Sequence, residues 1–159
     1  MSFDLYITPP SGFLDWDDAQ WEQFFSQEPE NEQLGKSLYV GLVLDAITHN
    51  LEGDKPGSRY PTLMRIDAHE KVGWYLDEVG LLLKEIEDIK ARLSSLPINR
   101  STLNYDNDED VARRISDFKK YNSHRSLSNL YDLNFHFLQV FEMLAKKALE
   151  AGHGLAVLY

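Results

Sequence analysis

The chain has 159 residues and carries 26 acidic against 16 basic side chains, a formal net charge of −10. Hydrophobic and aromatic contents of 43% and 12% are too high for a disordered acidic tail, and the length suits a single domain with one core. The acidity disfavours a nucleic-acid partner, and the absence of cysteine excludes disulfides and thiolate sites. With neither a secretory signal nor a bilayer-spanning run in the sequence, we expect a cytoplasmic protein with no membrane partner.

The predicted elements begin with a short strand over Phe3–Ile7, which alternates with period two and stops at Pro9. A helix follows, for which Asp15 or Asp17 is the expected N-cap. This helix should separate its apolar residues from its acids. The apolar side comprises Leu14, Trp21, Phe24 and Phe25, and the acidic side comprises Asp18 and Glu22.

Three segments of different character come next. Gln27–Gln33 predicts an acidic linker whose glutamates have no packing role. Leu38–Leu51 has enough β-branched residues for a strand, but its length favours a buried helix. The turn-rich segment Glu52–Pro61 predicts an exposed loop that leads into a short helix over residues 63–66.

The clearest predicted element is an amphipathic helix that ends before Pro97 and has a break near Gly73 at its start. Asp88 and Arg92 are spaced to pair on its polar side. Its apolar side is formed by residues that recur every three or four positions. These are Tyr75, Val79, Leu82, Leu83, Ile86, Ile89 and Leu93.

The last third of the chain predicts two more helices and a strand. Asp106–Asp110 leads into a helix that ends at Lys119–Lys120, an arrangement that the helix macrodipole favours. The final helix is expected over about residues 134–151, with Gly152 as its C-cap, and Leu155–Tyr159 predicts a terminal strand. The fold class is therefore α+β, a mainly helical single domain with a small sheet that includes the N- and C-terminal strands.

Two acidic clusters hold most of the negative charge. Residues 15–32 contain seven acids and no base, and residues 106–110 contain four acids and no base. Such localised fields point to a positively charged partner, because they steer association without forming a catalytic site. The second cluster also fits a purely structural role at a helix N-terminus. The predicted partner-binding acids are Asp15, Asp17, Asp18, Asp106, Asp108, Glu109 and Asp110.

The motifs that would carry catalysis or bind metal are incomplete. Gly35–Ser37 resembles the end of a phosphate-binding loop, but Glu30 stands where the upstream glycine is required. His69–Glu70 lacks a second histidine one turn on. Asp106–Asp110 has the alternating acids of a calcium loop, but Val111 replaces the turn glycine. We therefore predict no catalytic residues, no metal and no cofactor; an enzyme built from dispersed histidines and acids stays open as an alternative.

A second candidate for partner binding is the loop Gly57–Pro61. Gly57 allows unusual backbone angles, Arg59 offers a planar donor fork and Tyr60 an aromatic face. The alternative is a helix-entry turn in which Arg59 pairs with a carboxylate. An exposed aromatic stripe is also open, although aromatic residues at helical spacing are usually core. The stripe would comprise Trp16, Trp21, Phe24 and Phe25.

The loop Gly57–Pro61 and the helix around Leu82–Leu93 resemble the immunity protein 70 family of bacterial polymorphic-toxin systems. The similarity extends from about Leu38 to the C-terminus. The other segments that carry it are Leu63–Met64, Leu127–Leu130, Phe137–Leu149 and the strand after Gly152.

The resemblance implies a small cytoplasmic protein, made beside a secreted toxin, that binds this cognate toxin domain and blocks it in the producing cell by occlusion. Many toxins of such systems are basic nucleases, so the implied partner is positively charged. The residues by themselves also fit an acidic non-catalytic adaptor or a regulatory protein-binding module. The apolar segment Leu38–Leu51 suits a dimer interface as well as a monomer core, so the oligomeric state stays open.

Overall fold

The computed structural model describes residues 2–67, 71–99, 102, 107–125 and 135–158. Within them the chain forms four strands, five α-helices and two short 3-10 helices. The strands are β1 (Ser2–Thr8), β2 (Asn31–Lys36), β3 (Lys71–Trp74) and β4 (Gly154–Leu158). The α-helices are α1 (Asp18–Ser26), α2 (Ser37–Leu51), α3 (Leu76–Ser95), α4 (Asp108–Tyr121) and α5 (His136–Ala151). The 3-10 helices are Phe13–Asp15 and Leu63–Asp67.

The four strands form one antiparallel sheet in the order β2-β1-β4-β3. The first and the last described strands are therefore neighbours at its centre. Leu5 of β1 lies opposite Glu32 on one side and Val157 on the other, and Val72 of β3 lies opposite Val157. This arrangement confirms the predicted α+β fold, in which both terminal strands belong to a small sheet.

One face of the sheet packs against α3 and α5, which also pack against each other. Alternate strand residues such as Leu5 and Val157 enter this main core, as the period of two requires. Trp74 is fully buried there, and its ring meets Phe141 edge-on with centroids 5.2 Å apart. The predicted apolar face of α3 is confirmed by its buried residues Val79, Leu82, Ile86, Ile89 and Leu93.

The other face of the sheet carries an aromatic layer built by α1 and the 3-10 helix before it. Phe13 is fully buried over Gly73 of β3 and Gly154 of β4. A Cβ atom at Gly73 would lie 2.8 Å from the Leu155 carbonyl oxygen and 2.9 Å from Cζ of Phe13. Only glycine leaves room for the ring to rest directly on the sheet backbone.

The predicted acidic linker Gln27–Gln33 is wrong in its second half, because β2 begins at Asn31. The strand escapes prediction because its residues before Leu34 are polar and exposed, so the usual alternation is missing. Glu30, expected to have no packing role, accepts a hydrogen bond from the Lys147 ammonium at 2.6 Å.

The helix does not cross the predicted break near Gly73, because Gly73 lies within the unpredicted strand β3 and α3 begins at Leu76. Tyr75, predicted on the apolar side of the helix, is its N-cap residue. Leu14, predicted on the apolar side of the first helix, lies in a 3-10 helix before α1 and is 40% exposed. Tyr75 and Leu14 thus lie outside the α-helices to which the sequence assigned them.

The remaining predicted elements agree with the structure where it describes them. α2 is helical as expected, and Gly152 ends α5 with a left-handed φ of 72°. The predicted start of the last helix near residue 134, the segment Leu127–Leu130 and Tyr159 lie outside the described residues. Among the helices in the described part of the chain, none is long and apolar enough to cross a membrane.

We expect Gly73→Ala to lower the free energy of unfolding by about 1–3 kcal/mol, because the added methyl group must displace Phe13 or β4. Gly80→Ala in α3 is the matched control, since a Cβ atom there would meet nothing within 4 Å. In a helix this change should be neutral or stabilising by up to about 1 kcal/mol. Urea denaturation measures both effects, and equal stability of the two variants would contradict the proposed ring contact.

Candidate partner-binding surfaces

The first acidic cluster begins at the N-terminus of α1. Asp17 is the N-cap: its Oδ1 accepts the backbone N–H of Gln20 at 2.8 Å, while Oε1 of Gln20 accepts the N–H of Asp17 at 3.0 Å. This capping box confirms Asp17 and not Asp15 as the cap. Asp15, in the preceding 3-10 helix, and Asp18, in the first turn of α1, are both exposed. Asp17 therefore has a structural role besides its charge.

The second acidic cluster lies at the N-terminus of α4. The cap is Asn107, whose side-chain oxygen accepts the backbone N–H of Asp110 at 2.9 Å. Asp110 is half-buried and pairs with Arg113 at 3.0 Å. Asp108 and Glu109 are exposed in the first turn, where they favour the helix through its dipole. Capping thus falls to the asparagine, and these two acids project into solvent.

The two acidic clusters belong to opposite sides of the sheet. α4 buries Val111 and Phe118 in the main core, whereas α1 packs in the aromatic layer on the other face. Asp106, predicted as part of the second cluster, lies outside the described residues. The clusters therefore contribute to one long-range field but offer two separate contact surfaces.

The loop predicted to be exposed is anchored by a buried carboxylate at its first residue. Glu52 is only 5% exposed, and its Oε2 accepts the backbone N–H groups of Arg59 and Tyr60 at 3.1 and 3.0 Å. Its Oε1 accepts the Thr48 hydroxyl at 3.1 Å, and the Ser58 hydroxyl donates to its carbonyl oxygen at 2.9 Å. The prediction of an exposed loop is therefore wrong at its two ends, where the chain is held to α2.

Glu85 of α3 binds the next turn in the same way. Its two carboxylate oxygens accept the backbone N–H groups of Thr62 and Leu63 at 3.1 and 2.8 Å. The Trp74 indole N–H donates to the Thr62 carbonyl oxygen at 2.8 Å. The loop is thus fixed to α2, α3 and β3 together.

Tyr60 is a core residue, not the exposed aromatic face that the sequence suggested. Its side chain is 2% exposed and its hydroxyl donates to Asp88 at 2.7 Å. Burial, followed by this hydrogen bond, raises the pKa of Tyr60 to about 12. Hydrogen bonds from Tyr60 and from Arg92, the predicted partner, hold the pKa of Asp88 below its usual range. Arg59 is exposed and its charge acts on Asp88 in the same direction, which supports the helix-entry turn for this loop.

A shallow groove lies along α1 on the aromatic side of the sheet, and we call it the α1 groove. It has a volume of about 250 Å³ and is lined by Pro9, Trp16, Gln20, Gln23, Phe24 and Gln27. Trp16 and Phe24 are half-buried with ring centroids 5.5 Å apart, whereas Trp21 is buried beneath them. The predicted aromatic stripe is therefore divided: Trp21 is core, Trp16 and Phe24 line the groove, and Phe25 lies outside the groove lining and is 39% exposed.

Sequence reasoning missed the α1 groove, although a signal for it was present. The three glutamines at positions 20, 23 and 27 recur at helical spacing beside the aromatic residues.

Within the described ranges no three histidine, aspartate or glutamate side chains come close enough to hold a metal ion. His69 and Glu70 lie outside those ranges.

A family model described as Immunity protein 70 matches residues 20–157, from the first turn of α1 through the anchored loop to Val157 of β4. No curated protein and no solved structure matches the chain significantly.

Glu52→Ala should lower the free energy of unfolding by about 2–4 kcal/mol, because it leaves the buried backbone N–H of Tyr60 and the part-buried N–H of Arg59 without an acceptor. Glu52→Gln keeps an oxygen for these donors and should cost only about 1 kcal/mol. Glu87→Ala, an exposed change on α3, is the control and should stay within about 0.5 kcal/mol of the wild type. Equal losses for Glu52→Ala and Glu87→Ala in chemical denaturation would refute the anchoring role.

Proposed function

Since this chain belongs to the immunity protein 70 family, we propose that it binds one cognate toxin inside the cell that makes both proteins and blocks it by occlusion, without catalysis. The observation that carries the proposal is the family match over residues 20–157. An interface of standard size buries about 800 Å² on each partner, so roughly a tenth of the 8967 Å² surface would suffice.

The charge distribution supports a toxin with a basic surface, such as a nuclease. The formal net charge is −10, and exposed acids stand on both α1 and α4. Asp15, Asp108 and Glu109 suit steering best, because they are exposed while Asp17 caps α1 and Asp110 pairs with Arg113. Charges at the edge of an interface act mainly on the association rate, because their electric field attracts an oppositely charged partner during diffusion.

Co-expression tests the proposal most directly. The toxin domain encoded beside this gene should arrest growth when expressed alone, and the present chain should restore growth and co-purify with it. A catalytically inactive toxin variant should still form the complex, because occlusion needs binding and not turnover. If growth is not restored and no complex is recovered, an adaptor or regulatory role replaces the immunity role.

Neutralising the exposed acids should slow association by about tenfold at low salt, weaken its salt dependence and leave dissociation nearly unchanged. The test variant carries Asp15→Asn, Asp108→Asn and Glu109→Gln. The control removes the same charge from exposed acids elsewhere and carries Asp45→Asn, Glu87→Gln and Glu150→Gln. Stopped-flow binding to the toxin domain measures the rates, and identical association rates for both triple variants would argue against steering by these clusters.

A further inference from the structure

We propose that the α1 groove receives an extended segment of the toxin that carries an arginine or lysine side chain. The inference rests on the proposed function and selects the contact surface within it. A volume of about 250 Å³ suits one or two side chains, since small-molecule sites typically occupy about 300–1,000 Å³. An inserted side chain on an extended strand of the partner therefore fits the groove better than a cofactor does.

The floor of the groove favours a cationic side chain. Trp16 and Phe24 are half-buried, and their rings are inclined at 53° to each other, so a side chain entering the groove meets aromatic surface. Guanidinium and ammonium groups bind aromatic faces through the ring quadrupole, and arginine also stacks on them.

The walls of the groove can bind a peptide backbone. Gln23 and Gln27 are exposed, and each side-chain amide offers both a donor and an acceptor. Oε1 of Gln20 is held by the N–H of Asp17, which orients the Gln20 amide at the rim. Such side-chain amides can pair with the N–H and C=O groups of an extended peptide backbone while its side chain enters the groove.

Acidic residues adjoin the groove residues in the chain. Asp15 and Asp17 flank Trp16, and Glu28 follows Gln27. Residues 15–32 contain no lysine or arginine, and Lys147, which reaches this range from α5, pairs with Glu30. The local excess of negative charge favours a basic occupant, and the aromatic lining of the groove supplies the desolvated contact that a steering charge alone does not.

The decisive experiment places opposite charges at one wall of the groove. Gln23→Arg should weaken binding of the purified toxin domain at least tenfold, because the new guanidinium would repel the arginine or lysine side chain of the toxin. Gln23→Glu should bind as well as the wild type or better. Ala91→Arg on α3, at an exposed position away from both acidic clusters, is the control for net charge and should change the affinity less than threefold. Calorimetric titration gives the affinities, and circular dichroism confirms that each variant is folded.

Tryptophan fluorescence gives a second readout. Trp16 is half-buried, whereas Trp21 and Trp74 are 5% and 0% exposed, so acrylamide quenching reports mainly on Trp16. Toxin binding should reduce this quenching, and Trp16→Phe should remove the change.

If the wild-type chain binds the toxin while Gln23→Arg behaves like Ala91→Arg and quenching is unaltered, the groove is not the contact and the immunity function stands. If the wild-type chain forms no complex with the toxin, both the groove contact and the immunity function are overturned.

Discussion

The buried carboxylate of Glu52 fixes the segment that connects α2 to the 3-10 helix Leu63–Asp67. It supplies acceptors for the backbone N–H groups of Arg59 and Tyr60, and Glu85 does the same for the following turn. Buried backbone donors without partners are costly, so these two glutamates allow an irregular segment to enter the core. Hydrogen bonds from Tyr60, Thr62 and Leu63 bind this segment to α3, which packs against the sheet and α5 in the main core.

Sequence periodicity was sufficient wherever an element buries one regular face. α3 repeats apolar residues every three or four positions, and the structure buries that face. β2 and β3 could not be predicted in this way, because β2 is a polar edge strand and β3 has four residues, one of them Gly73. Judged from its neighbours in the sequence, Gly73 indicates a helix break. The need for glycine at this position becomes clear only in the fold, where the Phe13 ring packs on the face of the sheet at Gly73.

Some features of the candidate surfaces can likewise be predicted from the sequence, whereas others depend on the fold. The acidic clusters can be read directly from the sequence, because exposed charge needs no tertiary context. The burial of Tyr60 could not be read, since its partner Asp88 is 28 residues away in the chain. The α1 groove likewise depends on Pro9 and the helix meeting in space. The charge clusters can therefore be predicted from the sequence, whereas the docking position proposed above depends on a groove that forms only in the folded chain.

The strand order has a consequence for how the protein is made. β4 lies between β1 and β3, so among the described strands β3 joins the sheet through residues 154–158. Until those residues have been synthesised, β3 lacks the strand with which it pairs, and Phe13 lacks Gly154, one of the two glycines over which its ring packs. Contacts between such distant segments form slowly, because a long loop must close first. Among the described strands, the sheet of the nascent chain is therefore incomplete until β4 has been synthesised.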